Sequence, residues 1–183
     1  MQINFITGNP QKLAIAQAGL PSFEIVQTDL DLPEHQSMCL KEIALNSAHL
    51  AMQVLKKPLI LTDSGFFIEA LNGFPGPFVK WTNKHLTNHD FLAMLLNKGS
   101  RRAHTEDCLV YIEPKQAPVV FYSRVSGEVV TTAAQKKSSI SQLFIPDGLG
   151  HPVSDLSSEQ EAEFWAQHNT NYSQLKSYLL SRK

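Results

Sequence analysis

A lysine and two carboxylates, each beside loop-forming residues, are the groups of this chain best placed to do chemistry. Lys12 lies in NFITGNPQKLAIAQ, where an apolar pair, Phe5-Ile6, runs through Thr7-Gly8-Asn9-Pro10 into a helical pattern. A cation in the first turn of a helix opposes the helix dipole, which prefers anions there. It makes sense if a polyphosphate sits beside it. A strand, a glycine turn and a helix start form an anion site. Gly8 lets the backbone approach closely, the N–H groups of the first turn face outward, and Thr7 and Asn9 add side-chain donors. Asp63 follows the apolar run Leu59–Thr62, and ligands of α/β sheets gather at the carboxyl ends of strands. An aspartate there can hold Mg²⁺ or activate a water. Glu34, in the loop around Pro33, is a further candidate acid. Together these residues point to a metal-bound phosphate ester. Taken singly, T-G-N-P is also a plain capped turn, Asp63 a turn aspartate before glycine, and Glu34 a solvated loop charge.

The elements that must position these groups alternate. Residues 2–6 read as a buried strand and 10–19 as a helix with Pro10 at its favoured first position. Residues 24–28 read as a strand. After the Pro33 link, a helix presents Leu40, Ile43, Ala44, Ala48, Ala51 and Leu55 on one face. Residues 58–62 are predicted as a strand and 66–70 as a further extended run, followed by loop chemistry in LNGFPGPF. Thr87 and Asp90 have the spacing of a capping box for a helix carrying Phe91, Leu92, Leu95 and Leu96. Residues 104–113 and 118–130 read as antiparallel strands. Ser158 and Glu161 open a late helix, and a final one carries Tyr172, Leu175 and Leu179. The expectation is an α/β fold: one domain over 1–183, a central mixed sheet with flanking helices, and two lobes around a cleft.

Bulk composition narrows the function classes. Lys+Arg 16 against Asp+Glu 17 gives no global basic field, so nucleic acid is not an expected partner, and Lys136-Lys137 and Arg101-Arg102 read as solvated turn charges. No stretch approaches the length of a membrane span. Cys39 and Cys108 make no disulfide framework and read as buried thiols of a reducing cytosol, so a cytoplasmic protein is expected. The seven histidines show no metal-ligand spacing. Trp81 and Trp165 read as packing or dimer contacts.

T-G-N-x-x-K, then L-P-E, D-S-G and A-L-N-G-x-P-G-P occur in that order, and this series resembles the inosine/xanthosine triphosphate pyrophosphatases. FPGPFVKW and LPEHQ look closest to the eukaryotic-type branch. The resemblance implies a long mixed sheet, usually a homodimer, and Mg²⁺-dependent hydrolysis of deaminated purine nucleoside triphosphates to monophosphate and pyrophosphate. It assigns Thr7, Gly8, Asn9 and Lys12 to the triphosphate, Glu34 to Mg²⁺, and Asp63 to the metal and attacking water. Ser64 and Gly65 match the phosphate-side turn. The implied step is in-line attack of water on the α-phosphorus, with charge on the departing pyrophosphate stabilised by Lys12 and Mg²⁺.

The last third departs from the family pattern. That pattern reads a 6-oxopurine with F-G-[Y/W]-D-P, a lysine and a late S-H-R, and neither F-G-x-D-P nor S-H-R occurs in this chain. Anchored on Phe144–Gly148, the aromatic falls at Ser138 and the aspartate at Ser141. Ungapped continuation puts the lysine at Glu161 and the His-Arg pair at Ala166-Gln167, with His168 beside them. A family lysine falls at Ser47, and the acid before Asp63 at Thr62. Two readings stay open: a pyrophosphatase of altered or relaxed base choice, or a degenerate relative that binds nucleotide or a protein partner without turnover.

Overall fold

A computed structural model describes residues 1–133 and 139–182 of the chain. Strand β1 (Gln2–Ile6) leads into helix α1 (Pro10–Gly19), and β2 (Glu24–Thr28) follows. Helix α2 (Leu40–Leu55) then precedes β3 (Leu59–Ile68), the short β4 (Pro75–Gly76), α3 (Val79–His85) and α4 (Asn88–Met94). The long strands β5 (Arg102–Ile112) and β6 (Val119–Val129) come next, then a helical turn α5 (Ile140–Leu143), β7 (Phe144–Pro146), α6 (Ser158–His168) and α7 (Thr170–Leu180). The strands join in one mixed sheet of order β2-β1-β3-β5-β6-β7, with β4 on β3. β1 pairs parallel with β2 on one side and β3 on the other, while β4 and β7 pair antiparallel with β3 and β6. This is the α/β mixed sheet with flanking helices read from the sequence.

The chain forms two compact units. The first comprises residues 1–63, 107–123 and 158–183. Its core is built on β1 and β3, with Ile3, Phe5, Leu59 and Ile60 at zero exposure; the consecutive Leu59 and Ile60 point to opposite faces, so β3 is covered on both. Helix α2 lays Leu40, Ala44, Ala48 and Ala51 inward at a spacing of about four residues, one face of a helix. It ends where Lys56 turns left-handed. α1 packs along α6. The second unit comprises residues 64–106 and 124–157, with Phe66 edge-on to Phe144 in its core. Thr87 and Asp90 form the full capping box of α4, and that contact lowers the Asp90 pKa.

Several expectations need correction. Asp63-Ser64-Gly65 does not interrupt the strand: β3 runs unbroken from Leu59 to Ile68, then winds into a 3-10 turn at Glu69–Leu71. Pairing with β1 at Leu59–Ile60 and with β4 at Phe66–Phe67 anchors the strand on either side of the triplet, within a sheet where β5 is its other neighbour. Strands β5 and β6 begin at 102 and 119 and end at 112 and 129, and α3, α5 and β7 are additional elements. Helix α4 stops at Met94, leaving Leu96 exposed. Cys39 is exposed, so only Cys108 is a buried thiol, and burial pushes its pKa up to about 12. Trp165 is core, but Trp81 is half exposed and stacks on His85. No helix among the described residues is long and apolar enough to cross a membrane.

Candidate active site

β1 lies between β2 and β3, so the chain leaves its carboxyl end toward one neighbour and returns beside the other. Such a switch point is where open α/β sheets place their ligands. Thr7, Gly8 and Asn9 occupy it. Thr7 N–H donates to the Thr28 carbonyl, and the Thr7 carbonyl accepts from the Gln27 side chain at 3.0 Å. The loop is therefore tied to β2 before it turns into α1.

The helix start is closed from within. Asn9 Oδ1 accepts the N–H groups of Gln11 at 2.9 Å and Lys12 at 3.4 Å, while Asn9 N–H donates to Thr7 Oγ1 at 3.0 Å. Pro10 has no N–H to offer. The outward-facing N–H groups expected of the first turn are thus already engaged at Gln11 and Lys12. Asn9 acts through its oxygen as the helix cap, a role worth about 1 kcal/mol, and its amide nitrogen remains as the donor.

Lys12 spans the two motifs. Its ammonium, half-buried, donates to the Thr62 carbonyl at 3.0 Å. Thr62 immediately precedes Asp63, so the lysine of T-G-N-x-x-K stands at the D-S-G segment. An ammonium carries three N–H donors, and this contact uses one of them. Asp63 and Ser64 are half-buried and Gly65 is buried, whereas Glu34 sits on an exposed loop.

One acid escaped the sequence reading. A Cβ added to Gly8 would stand 3.1 Å from both carboxylate oxygens of Asp29, so Asp29 lies directly over the loop. Nothing in the sequence marks it, because the approach depends on β2 pairing with β1. Gly8 is needed for this close approach. An anion placed at this loop would have the Asp29 carboxylate beside it.

The positions aligned with base recognition are engaged otherwise. Ser138 lies outside the described residues. Ser141 Oγ is 3.3 Å from Ser139 Oγ, within the second unit. Glu161, on α6, accepts from Trp165 Nε1 at 3.3 Å, and burial raises its pKa. Ala166 and Gln167 fall at the end of α6, and His168 stacks on Phe164 with ring centroids 4.0 Å apart, its Nδ1 2.8 Å from the Phe164 carbonyl. Ser47 is half-buried on α2. Among the described residues no three His, Cys, Asp or Glu side chains gather as a ready metal cage.

Residues 3–169 match the model of the Ham1 family. The chain is 34% identical over 166 residues to a dITP/XTP pyrophosphatase of Methanopyrus kandleri, covering 89% of this chain and 88% of that protein. It is 29% identical over 160 residues to an inosine triphosphate pyrophosphatase of Schizosaccharomyces pombe, covering 86% and 85%. The fold matches a solved Staphylococcus aureus Ham1 protein over the full length of both chains, with a TM-score of 0.80 at 24% identity.

Proposed function

Since this chain belongs to the Ham1 family, we propose that it hydrolyses nucleoside triphosphates to the monophosphate and pyrophosphate. The observation that carries the reading is the 3.0 Å contact from Lys12 Nζ to the Thr62 carbonyl, which ties the T-G-N-x-x-K segment to the strand residue before Asp63. In this proposal Thr7, Gly8, Asn9 and Lys12 hold the triphosphate, and Ser64 and Gly65 line its path. Asp63 takes a proton from the water that attacks the α-phosphorus. Lys12 offsets charge on the departing pyrophosphate. Residues 1–183 act as one functional domain, since β3, β5 and β6 each contribute to both units.

The donor set suits Mg²⁺. Glu34 and Asp63 supply hard carboxylate oxygens, and Mg²⁺ is commonly bound by one or two carboxylates plus substrate phosphates rather than a full protein cage. Asp29 over Gly8 adds to the demand for a cation. When bound, the ion supplies positive charge to the phosphate oxygens. Base choice is relaxed in this reading, because Ser141 and Glu161 stand where the family pattern has an aspartate and a lysine. A homodimer in the cytoplasm belongs to the same proposal, and sedimentation at micromolar concentration tests the dimer.

Thr62 favours the second reading, binding without turnover. It stands where the family pattern has an acid, and it meets Lys12 through a backbone carbonyl rather than a carboxylate. A panel of nucleoside triphosphates with Mg²⁺, scored for released pyrophosphate and for thermal shift, separates the two. Turnover that EDTA abolishes without moving the apo melting temperature supports the enzyme. Thermal shifts with no pyrophosphate support the binder; a ligand at about 100 times its Kd adds roughly 2.7 kcal/mol.

A further inference from the structure

Beyond Asp63, strand β3 has a place left empty by Gly65 and filled by a neighbour's ring. Residues two apart on a strand share a face, and Phe67 is two residues from Gly65. A Cβ added to Gly65 would stand 2.7 Å from Phe67 Cε2, 3.0 Å from Cζ and 3.1 Å from the Gly76 carbonyl. β4 brings Gly76 and Pro75 opposite Phe66 and Phe67. Gly76, at φ +59°, has its own missing Cβ 3.4 Å from Phe67 Cε1. The ring therefore rests on two glycines at once.

A face of the same ring is covered by His104 of β5, stacked at 5.1 Å between centroids and 6° from parallel. Both nitrogens of that imidazole are engaged. Arg124 Nη2 lies 3.0 Å from Nδ1, and Glu106 Oε1 lies 3.3 Å from Nε2. A guanidinium can only donate, so Nδ1 accepts and the proton sits on Nε2, directed at Glu106. Burial and the Arg124 charge lower the His104 pKa, with Glu106 and Glu69 acting in the opposite sense. The imidazole is thus a neutral plate, held at both edges by β5 and β6 side chains.

We propose that Phe67 is a positioning residue for the Asp63-Ser64-Gly65 segment: its ring takes the place of the side chain that residue 65 lacks, and the His104 plate, fixed between Arg124 and Glu106, keeps it there. The proposal rests on the reading of Asp63 as the carboxylate at the reacting phosphate. Catalytic groups must be held within about 0.5 Å of productive geometry by neighbours whose own rotamers are locked. The glycines give β3 room for the ring, and the ring removes the backbone freedom that the glycines bring. A residue that merely fills space affects stability. A residue that aims Asp63 affects turnover at saturating substrate.

The test is a cycle of variants on the full chain, read by melting temperature, kcat and KM on the best nucleoside triphosphate. Phe67→Ala should lower kcat tenfold or more with KM within threefold. Gly65→Ala should lower it too, because the new methyl meets the ring at 2.7 Å, its tightest contact, and the Gly76 carbonyl at 3.1 Å. The double variant Gly65→Ala/Phe67→Ala puts a methyl into the vacated place and should recover kcat above the Phe67→Ala level. His104→Phe keeps a flat plate but loses both polar anchors, and should lower kcat at neutral pH less than Phe67→Ala does. In that variant any acid-side loss of kcat due to protonation of His104 should disappear. If Phe67→Ala does not fold, Phe67→Leu should show the same kcat loss in weaker form. Loss of melting temperature with kcat within twofold, or a double variant no better than Phe67→Ala, overturns the proposal. If the wild type turns over no triphosphate, the site reading fails separately. The brace is then read by amide exchange: faster exchange at Gly65 in Phe67→Ala supports it, and unchanged exchange overturns it.

Discussion

Lys12 Nζ donates to the carbonyl of Thr62 across 50 residues of sequence, at 3.0 Å. The contact fixes the direction of a flexible four-carbon stem and aims its charge at the residue before Asp63. A cation that opposed the α1 dipole in isolation thereby gains a carbonyl partner and a role. In the proposed function that ammonium faces the anion with its two remaining N–H donors.

Replacing Lys12 with alanine should weaken triphosphate binding far more than nucleoside binding. A hydrogen bond to a charged group is worth about 1.5–3 kcal/mol, so Kd for a non-hydrolysable triphosphate should rise tenfold or more. Titration calorimetry against triphosphate and nucleoside decides it. Equal, small losses for both make Lys12 a structural clasp on Thr62 alone.

Asp63→Asn keeps the size of the side chain and removes its charge and its basicity. Loss of a general base costs about 10²–10⁴ in rate. Turnover on the best substrate should fall by at least two decades, with the melting temperature near that of wild type. Activity within a few-fold of wild type removes Asp63 from the chemistry.

Base choice should be weak. A site built to hydrogen-bond one group rejects its analogue by about 10⁴–10⁵, but serine hydroxyls donate and accept alike. Ser141 therefore distinguishes keto from amino poorly, and a carboxylate such as Glu161 favours an amino donor over a 6-oxo oxygen. The ratio of kcat/KM for inosine over adenosine triphosphate should be under about tenfold, or reversed, where one hydrogen bond is worth about a kcal/mol. A hundredfold preference for inosine contradicts this.

Glu161 should also mark the pH dependence of stability. Its folded pKa lies above the ordinary glutamate value, mainly through burial, with the Trp165 contact acting against it. The folded state then holds its proton where the unfolded state has released it. The carboxyl supports the fold in acid, and that support fades as pH rises from about 4.5 through the raised pKa. Glu161→Gln should therefore raise the melting temperature at pH 7 and lose that advantage near pH 4. A melting temperature unchanged at pH 7 places Glu161 in free solvent.

The residues show which parts of this were legible beforehand. Helices α1 and α2 could be read because Pro10 marks a start and Leu40, Ala44, Ala48 and Ala51 repeat at helical spacing. α3 was missed because its cap, Phe78, makes no side-chain capping bond and follows loop chemistry. β3 was broken in two because Asp63-Ser64-Gly65 has the composition of a turn, and only its pairing partners reveal a strand. The motif residues of the phosphate half were visible as types at a spacing. Their contacts were not: Lys12 on Thr62, Asp29 on Gly8 and His104 on Phe67 join distant segments, which local patterns do not encode.

The cap that Asn9 places on α1 has a consequence in time. Because Asn9 Oδ1 closes the first turn and Thr7 Oγ1 holds the Asn9 N–H, the loop is braced by its own chain. A loop ordered by its ligand must rearrange after each encounter, which slows capture and adds the cost of ordering. Here that ordering is completed once, when the chain folds. The observed capture rate should then climb in proportion to nucleotide concentration without levelling off, each productive collision ending in a seated phosphate.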